Sequence, residues 1–403
     1  MPMSLKTHLV ELSIDSIPIG VPLQFSLWTS DGALLAKKGY TIDSRKQLER
    51  FVERGFTLGI DTDESVVLPH KTIEKTPIHV EPDFHTATLS GKYPDFCAYQ
   101  LQLNALLRNP DPKNFLKCID DIQRELSYLV SKSPDAAITA VVNLAARETK
   151  YYSAMHVLLV WVVVTTTAKH ALRWDDSVIA SLGKASLTMN ISMLDMQDRM
   201  AQQNWPLTKE QSTLVECHPK LSCDMLMKLG VVDPLWLDAV SEHRDQVPGP
   251  LLKRSMGRQM GRLIQRADVF GARLSPRLHR QPMPITAAMQ ASYFDEEHKP
   301  DDAGTAIVQT LGVYAPGSYV RLVTGEIAIV VRRQMGSQGE HGKCPVVLVV
   351  LNQAREPVAK FIERDTSSPL FRIEGAVGVQ DFPQVTIPLL TLLNASEGRR
   401  VLI

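Results

Sequence analysis

Between Val157 and Val164 the chain reads "VLLVWVVV", the longest apolar run in the sequence. A helix at a protein surface spaces its apolar residues three and four apart, whereas a helix that is apolar all round has to be enclosed on every side. Thr165, Thr166, Thr167 and Lys169 close the run well short of the roughly 20 apolar residues that span a bilayer. The expectation is the central helix of a helical domain, with no membrane insertion. The neighbouring segments supply the wrapping. "FCAYQLQLNALL", "NFLKCIDDIQRELSYLV" and "AAITAVVNLAARETKYYSAMH" carry apolar residues at helical spacing, and the pattern runs almost unbroken to about Gln290.

On either side of this stretch the period changes to two. "HLVELSI", "PLQFSLW" and "ALLAKKGYTI", with a turn at "SDG", read as short strands, and "SRKQLERFVERG" as a short amphipathic helix ended by Gly55. Beyond the helical stretch, "GVYAPGSYVRLVTGEIAIVVRR" reads as strands around a turn at Thr324-Gly325, followed by "CPVVLVVLN" and "FRIEGAV". The fold class expected is multidomain α+β. A small β-rich N-terminal module occupies 1–61, a Pro- and charge-rich linker 62–92, a central all-α domain 93–295 and a small C-terminal β domain 305–403.

Composition narrows the function. The chain has 403 residues, 44 Lys and Arg against 44 Asp and Glu, and a hydrophobic fraction of 44%, so it is a folded protein with no overall field for a nucleic acid polymer. Its five cysteines are odd in number and form no paired framework, which points to reduced thiols. Cys217 and Cys223 flank His218 in "CHPKLSC", but a five-residue gap is not a usual zinc-ligand spacing. The start lacks a signal-peptide core and a lipidation pattern. The compartment expected is the cytoplasm. No Gly-rich phosphate loop or Ser-His-Asp order is present, and Trp161, Trp205 and Trp236 read as packing residues.

A set of ordered landmarks carries a resemblance. "SLTMNISML" is followed by "DMQDRMAQQNWPLTKEQSTLVECHP", then by "WLDAVSEHRDQVPGP" and "RADVFGARLSPRLHR". Over roughly residues 145 to 290 this order resembles the HD-GYP branch of the HD phosphohydrolase superfamily, bacterial proteins that hydrolyse cyclic di-GMP with two or three metal ions. The resemblance implies an HD-type helical domain. It implies metal-ligand positions at His156, His218, His243 and Asp268. At four further positions the family's ligands are replaced: Tyr152 stands for an acid that serves a third metal in some members, Met189 and Asn190 for the His-Asp pair, and Arg244 for the second of two paired histidines. Met193 replaces a lysine, and the Gly-Tyr-Pro loop is shortened to "QVPGP".

These replacements matter chemically. Two clustered metal ions need a carboxylate that bridges them, and Asn190 is neutral. Met189 offers a thioether suited to softer ions, and Arg244 brings a permanent cation to a place where a dication would bind. The surviving ligands read first as inherited, hydrogen-bonded core groups; the alternative is a residual site for one Fe, Mn or Zn ion. No cofactor is expected on the first reading.

Arg254, Arg258, Arg262 and Arg266 recur every four residues and so share one helical face. Either the stripe is a solvated face partly paired with acids, or it is a cationic face on which Arg262 and Arg266 contact phosphates. The function expected is a degenerate, non-catalytic HD-GYP-family member of cyclic di-GMP signalling, binding that nucleotide or a signalling protein. The alternative is a phosphodiesterase working at a rearranged metal site. Oligomeric state is not legible in the sequence.

Overall fold

The structure is a computed structural model that describes residues 9–12, 14, 17, 19–23, 25–29, 33–53, 58–61, 95–278, 283–334, 344–378 and 387–398. The expected linker at 62–92 lies outside the described residues. The chain divides into two compact units, one of Met1–Glu74, Asp195–His218 and Arg277–Gln281, the other of Lys75–Leu194, Pro219–Pro276 and Pro282–Ile403.

In the first unit, β1 (Leu9–Glu11), β2 (Leu27–Thr29), β3 (Leu34–Ala36) and β4 (Leu58–Asp61) form an antiparallel sheet in the order β1-β4-β2-β3, with α1 (Arg45–Glu53) between β3 and β4 in sequence. Leu27 of β2 is opposite Ile60 of β4, and these two residues join Leu23, Phe25, Ile42 and Leu48 in an apolar core on which Trp205 packs. The alternation in the sequence is thus the alternation of a half-buried sheet.

The second unit is mainly helical. Its elements begin with α2 (Phe96–Arg108), α3 (Phe115–Lys132), α4 (Pro134–Ala145), α5 (Tyr152–Thr167) and α6 (Asp176–Thr188). After α7 (Leu194–Gln202) and α8 (Lys209–Lys228), whose residues are shared out between the two units, come α9 (Pro234–Glu242), α10 (Met256–Leu274), α11 (Ile285–Tyr293) and α12 (Asp302–Leu311). Every residue of α5 is buried. The helix packs against α2, α4, α6, α10 and α12, which is the enclosure that its all-round apolar surface demands. It is longer than the apolar run suggests, because a π-helical turn at Ala168–Leu172 continues it until Arg173 takes φ 54°. The combined Tyr152–Leu172 helix has the length and hydropathy to cross a membrane, yet 78% of its most apolar window is buried inside the protein. That is the signature of a core helix.

The same unit ends in β5 (Tyr319–Leu322), β6 (Ile327–Arg332), β7 (Val346–Leu351), β8 (Pro357–Asp365) and β9 (Ile373–Ala376), an antiparallel sheet in the order β8-β7-β6-β5-β9, followed by α13 (Leu389–Ser396). β6 and β7 are buried on both faces. Ile329 and Leu348 pack in one cluster with Leu392 of α13, while Val330 and Val347 pack in another with Phe371. Arg333, just after β6, pairs with Asp135 of α4 and donates to Thr310 O of α12 at 2.5 Å, which ties the sheet to the helices. A multidomain α+β chain with a helical core is what the structure contains.

Candidate functional site

His156 sits inside the buried helix α5 and Asp268 projects from α10. The two meet at 2.7 Å, His156 Nε2 to Asp268 Oδ1. Gly271, one turn beyond Asp268, makes this approach possible. A Cβ at that position would lie 3.0 Å from His156 Cε1 and 3.1 Å from Nδ1. The buried Nδ1 has no hydrogen-bond partner among the described residues. A proton there would be stranded in an apolar contact, so the proton belongs on Nε2, where it is donated to Asp268. Tyr152, one turn before His156, stacks on the imidazole with ring centroids 5.6 Å apart and planes 8° from parallel.

His243 follows the last residue of α9 and is buried, its Nδ1–H donating to Val240 O at 2.6 Å. Burial pushes its pKa down, and the charge of Arg244 adds to that effect, against the Val240 bond and Asp268. The ring is neutral. Asp268 keeps 23% of its side chain open to solvent. Its surroundings raise its pKa by desolvation, but the hydrogen bond from His156 and the nearby Arg244 guanidinium outweigh this and hold it well below the usual carboxylate range. Arg244, half-buried, therefore places its charge where it acts on both Asp268 and His243.

Met189 caps the C-terminal end of α6 and is fully buried in the helical core, and Asn190, the next residue, is 2% exposed. The turn they form is held by Ile191 N donating to Thr188 O and Met193 N donating to Asn190 O. His218 lies in α8, buried, with Nδ1–H donating to Val215 O at 2.7 Å. It belongs to the first compact unit, whereas His156, His243 and Asp268 belong to the second.

In the second unit His156 Nε2 is committed to Asp268 Oδ1, Asn190 offers only a neutral amide, and the Arg244 charge acts on Asp268. Among the described residues, no group of three or more His, Cys, Asp or Glu side chains is arranged to hold an ion. A two-metal centre needs several anionic or neutral donors at once.

No family model matches the chain. A curated cyclic di-GMP phosphodiesterase of Pseudomonas aeruginosa is 24% identical to it over 217 residues, covering 53% of this chain and 51% of that protein. The chain carries an HD-GYP-like domain. It spans about half the length of that curated relative. A solved HD-GYP protein from Bdellovibrio bacteriovorus superposes with a TM-score of 0.43 at 13% identity, over 74% of this chain and 98% of that one.

The arginine stripe on the HD-GYP-like domain is not an open cationic face, and here the structure corrects the expectation for Arg262 and Arg266. Arg254 pairs with Asp245 at 3.1 Å and Arg258 with Glu242 at 3.4 Å. Arg262, 1% exposed, is held by Asp301 at 2.8 Å and Glu296 at 2.9 Å. Arg266, 4% exposed, pairs with Glu296 and donates to Phe294 O at 2.5 Å. These two guanidinium groups fasten the segment after α11 to α10, buried among its carboxylates rather than presented at an open surface. Arg280 and His279 lie outside the described residues. Sequence reasoning passed over Glu296 and Asp301, although the acid-rich "FDEEHKPDDAG" was a signal for them. It also passed over Gly271. Cys217 and Cys223 are free thiols.

Proposed function

We propose that the HD-GYP-like domain serves cyclic di-GMP signalling without hydrolysing the nucleotide, as a ligand-sensing or protein-interaction module built on a former two-metal pocket. The observation that carries this reading is the position of Arg244: its permanent charge acts on Asp268 and His243, the carboxylate and imidazole that in family members would face an ion. Like charges in a partly desolvated pocket repel strongly, so this guanidinium charge disfavours a divalent ion held by Asp268 and His243. His156, His218, His243 and Asp268 are then inherited framework, and Arg244 supplies the cation for a ligand's phosphate oxygens. Cyclic di-GMP is the ligand to test, since the curated relative is a phosphodiesterase for it.

The deciding experiment combines metal analysis of protein expressed with iron and manganese supplied, a cyclic di-GMP turnover assay and equilibrium binding on the same sample. The expected result is no stoichiometric metal and no turnover, with binding that weakens about tenfold or more in Arg244→Ala, the scale of one charge-assisted hydrogen bond. Binding that is absent in the unaltered protein points to a purely protein-directed module. The second reading, an active phosphodiesterase, is favoured by one feature: His218 and His243 each give Nδ1–H to a backbone carbonyl, the orientation that metal-ligating histidines adopt. Two metals per chain with turnover that is lost in His218→Ala establishes it.

A further inference from the structure

Helix α8 carries Pro219 in its interior. A proline there has no N–H to give to the carbonyl four residues back, and its ring crowds that same carbonyl, so the helix is weakened at this turn. The carbonyl concerned is Val215 O, and a side chain serves it instead: His218 Nδ1–H donates to it at 2.7 Å. A carbonyl oxygen only accepts, so Nδ1 carries a proton whatever the state of Nε2. One residue thus breaks the backbone ladder, and its neighbour bridges the gap with an imidazole.

An independent feature falls at the same place. The chain divides into its two compact units between His218 and Pro219. The residues leading into the helix belong with the N-terminal sheet, where Thr208 bridges to Leu12 and Lys209 pairs with Glu11 at 3.1 Å. Those after the break belong with the helical unit, where Ser222 accepts from Ser192 N at 3.3 Å and Leu226 lies in the core. The crossing at Pro276–Arg277 also carries a proline.

We propose that α8 is a hinge between the two units, bending at Val215–Pro219, with the His218 ring as the strap that closes it. The missing backbone bond makes this turn the weakest in the helix, and small changes at a few element positions are enough for a hinge. The side-chain bond forms and breaks by rotation of one imidazole, which gives the bend a strapped and a released setting. Movement of the unit that bears the N-terminal sheet is thereby coupled to the orientation of His218. The hinge stands whether or not the HD-GYP-like domain hydrolyses a nucleotide, because it rests on the geometry of one helix.

The test uses the full chain with nitroxides on ketone-bearing residues introduced at Lys46 of α1 and Lys117 of α3, both exposed, which leaves the native thiols unlabelled. Pulsed electron spin resonance reads the spread of distances between the labels, and hydrogen exchange with mass spectrometry reads local opening of α8. Pro219→Ala restores the N–H that Val215 O lacks. It narrows the spread to about half and slows exchange across α8 about tenfold, the scale of one recovered hydrogen bond. His218→Ala keeps the proline and removes the strap, so it widens the spread and speeds exchange in α8 by a similar factor, while α5 exchanges as before. The inference is overturned if Pro219→Ala changes neither measurement, if His218→Ala matches the unaltered protein, or if the faster exchange extends to α5, which marks general loosening. Should His218→Ala fail to fold, the Pro219→Ala comparison decides, since alanine is the residue a helix interior favours most.

Discussion

Replacing Glu296 with glutamine separates a structural role for the arginine stripe from a ligand-binding one. Glu296 accepts from Arg262 at 2.9 and 3.2 Å and from Gln265 at 3.0 Å, and it pairs with Arg266. Desolvation works against its charge, but the hydrogen bonds from Arg262 and Gln265 and the charge of Arg266 prevail and hold its pKa at about 2 against an ordinary 4.5. Because Glu296 itself is exposed, solvent screens part of that depression, which contributes on the order of 1–2 kcal/mol of stability at neutral pH. A carboxyl whose pKa is lowered by folding stabilises fully above its unfolded value, and that contribution is lost as pH falls through the folded value. The difference between the unaltered protein and Glu296→Gln is therefore about 1–2 kcal/mol at pH 7 and less than half of that at pH 3. Urea unfolding followed by far-ultraviolet circular dichroism at both pH values measures it. A difference below about 0.5 kcal/mol at pH 7, or one that stays constant with pH, refutes the ion-pair account. Arginines free to meet a ligand would instead leave stability unchanged and tighten binding of polyanions.

Gly304→Ala brings a Cβ to 2.3 Å from the backbone oxygen of Ser292 and 2.9 Å from Tyr293 Cα. Backbone there has nowhere to move, so the substitution destabilises by about 2 kcal/mol or more despite the helix preference of alanine, and differential scanning fluorimetry reads this as a fall of roughly 4–8 °C. The His243 ring, whose pKa burial lowers, titrates in its NMR ring signals below the free-imidazole value of about 6.5. Because its pKa is lowered by folding, its contribution to stability is complete above the unfolded value of about 6.5 and declines as pH falls below it. Asp268→Asn removes the charged acceptor of the His156 bond and is expected to destabilise by about 1.5–3 kcal/mol, which the same fluorimetric assay detects.

Local order decided a large part of this protein and was legible before any coordinates. Eight apolar residues from Val157 to Val164 require a helix covered on all sides, and α5 is buried along its whole length. Strand patterning located most strands of the two sheets, whereas β4 (Leu58–Asp61) and β8 (Pro357–Asp365) were not among those read from the sequence. The chemistry that Met189, Asn190 and Arg244 can offer was also legible, since a side chain's charge and donor set belong to its identity alone.

What periodicity cannot report is which side chains meet across a helix face. Four-residue spacing aligned Arg254 to Arg266 correctly, but only the packed chain brought Glu296 and Asp301 against Arg262, from more than thirty residues away. The His156–Asp268 bond depends on Gly271 letting two helices approach. Sequence determined which groups are present and which side of each element is apolar. Tertiary structure decided which charges neutralise each other, because ion pairs are properties of distances between segments remote in the chain.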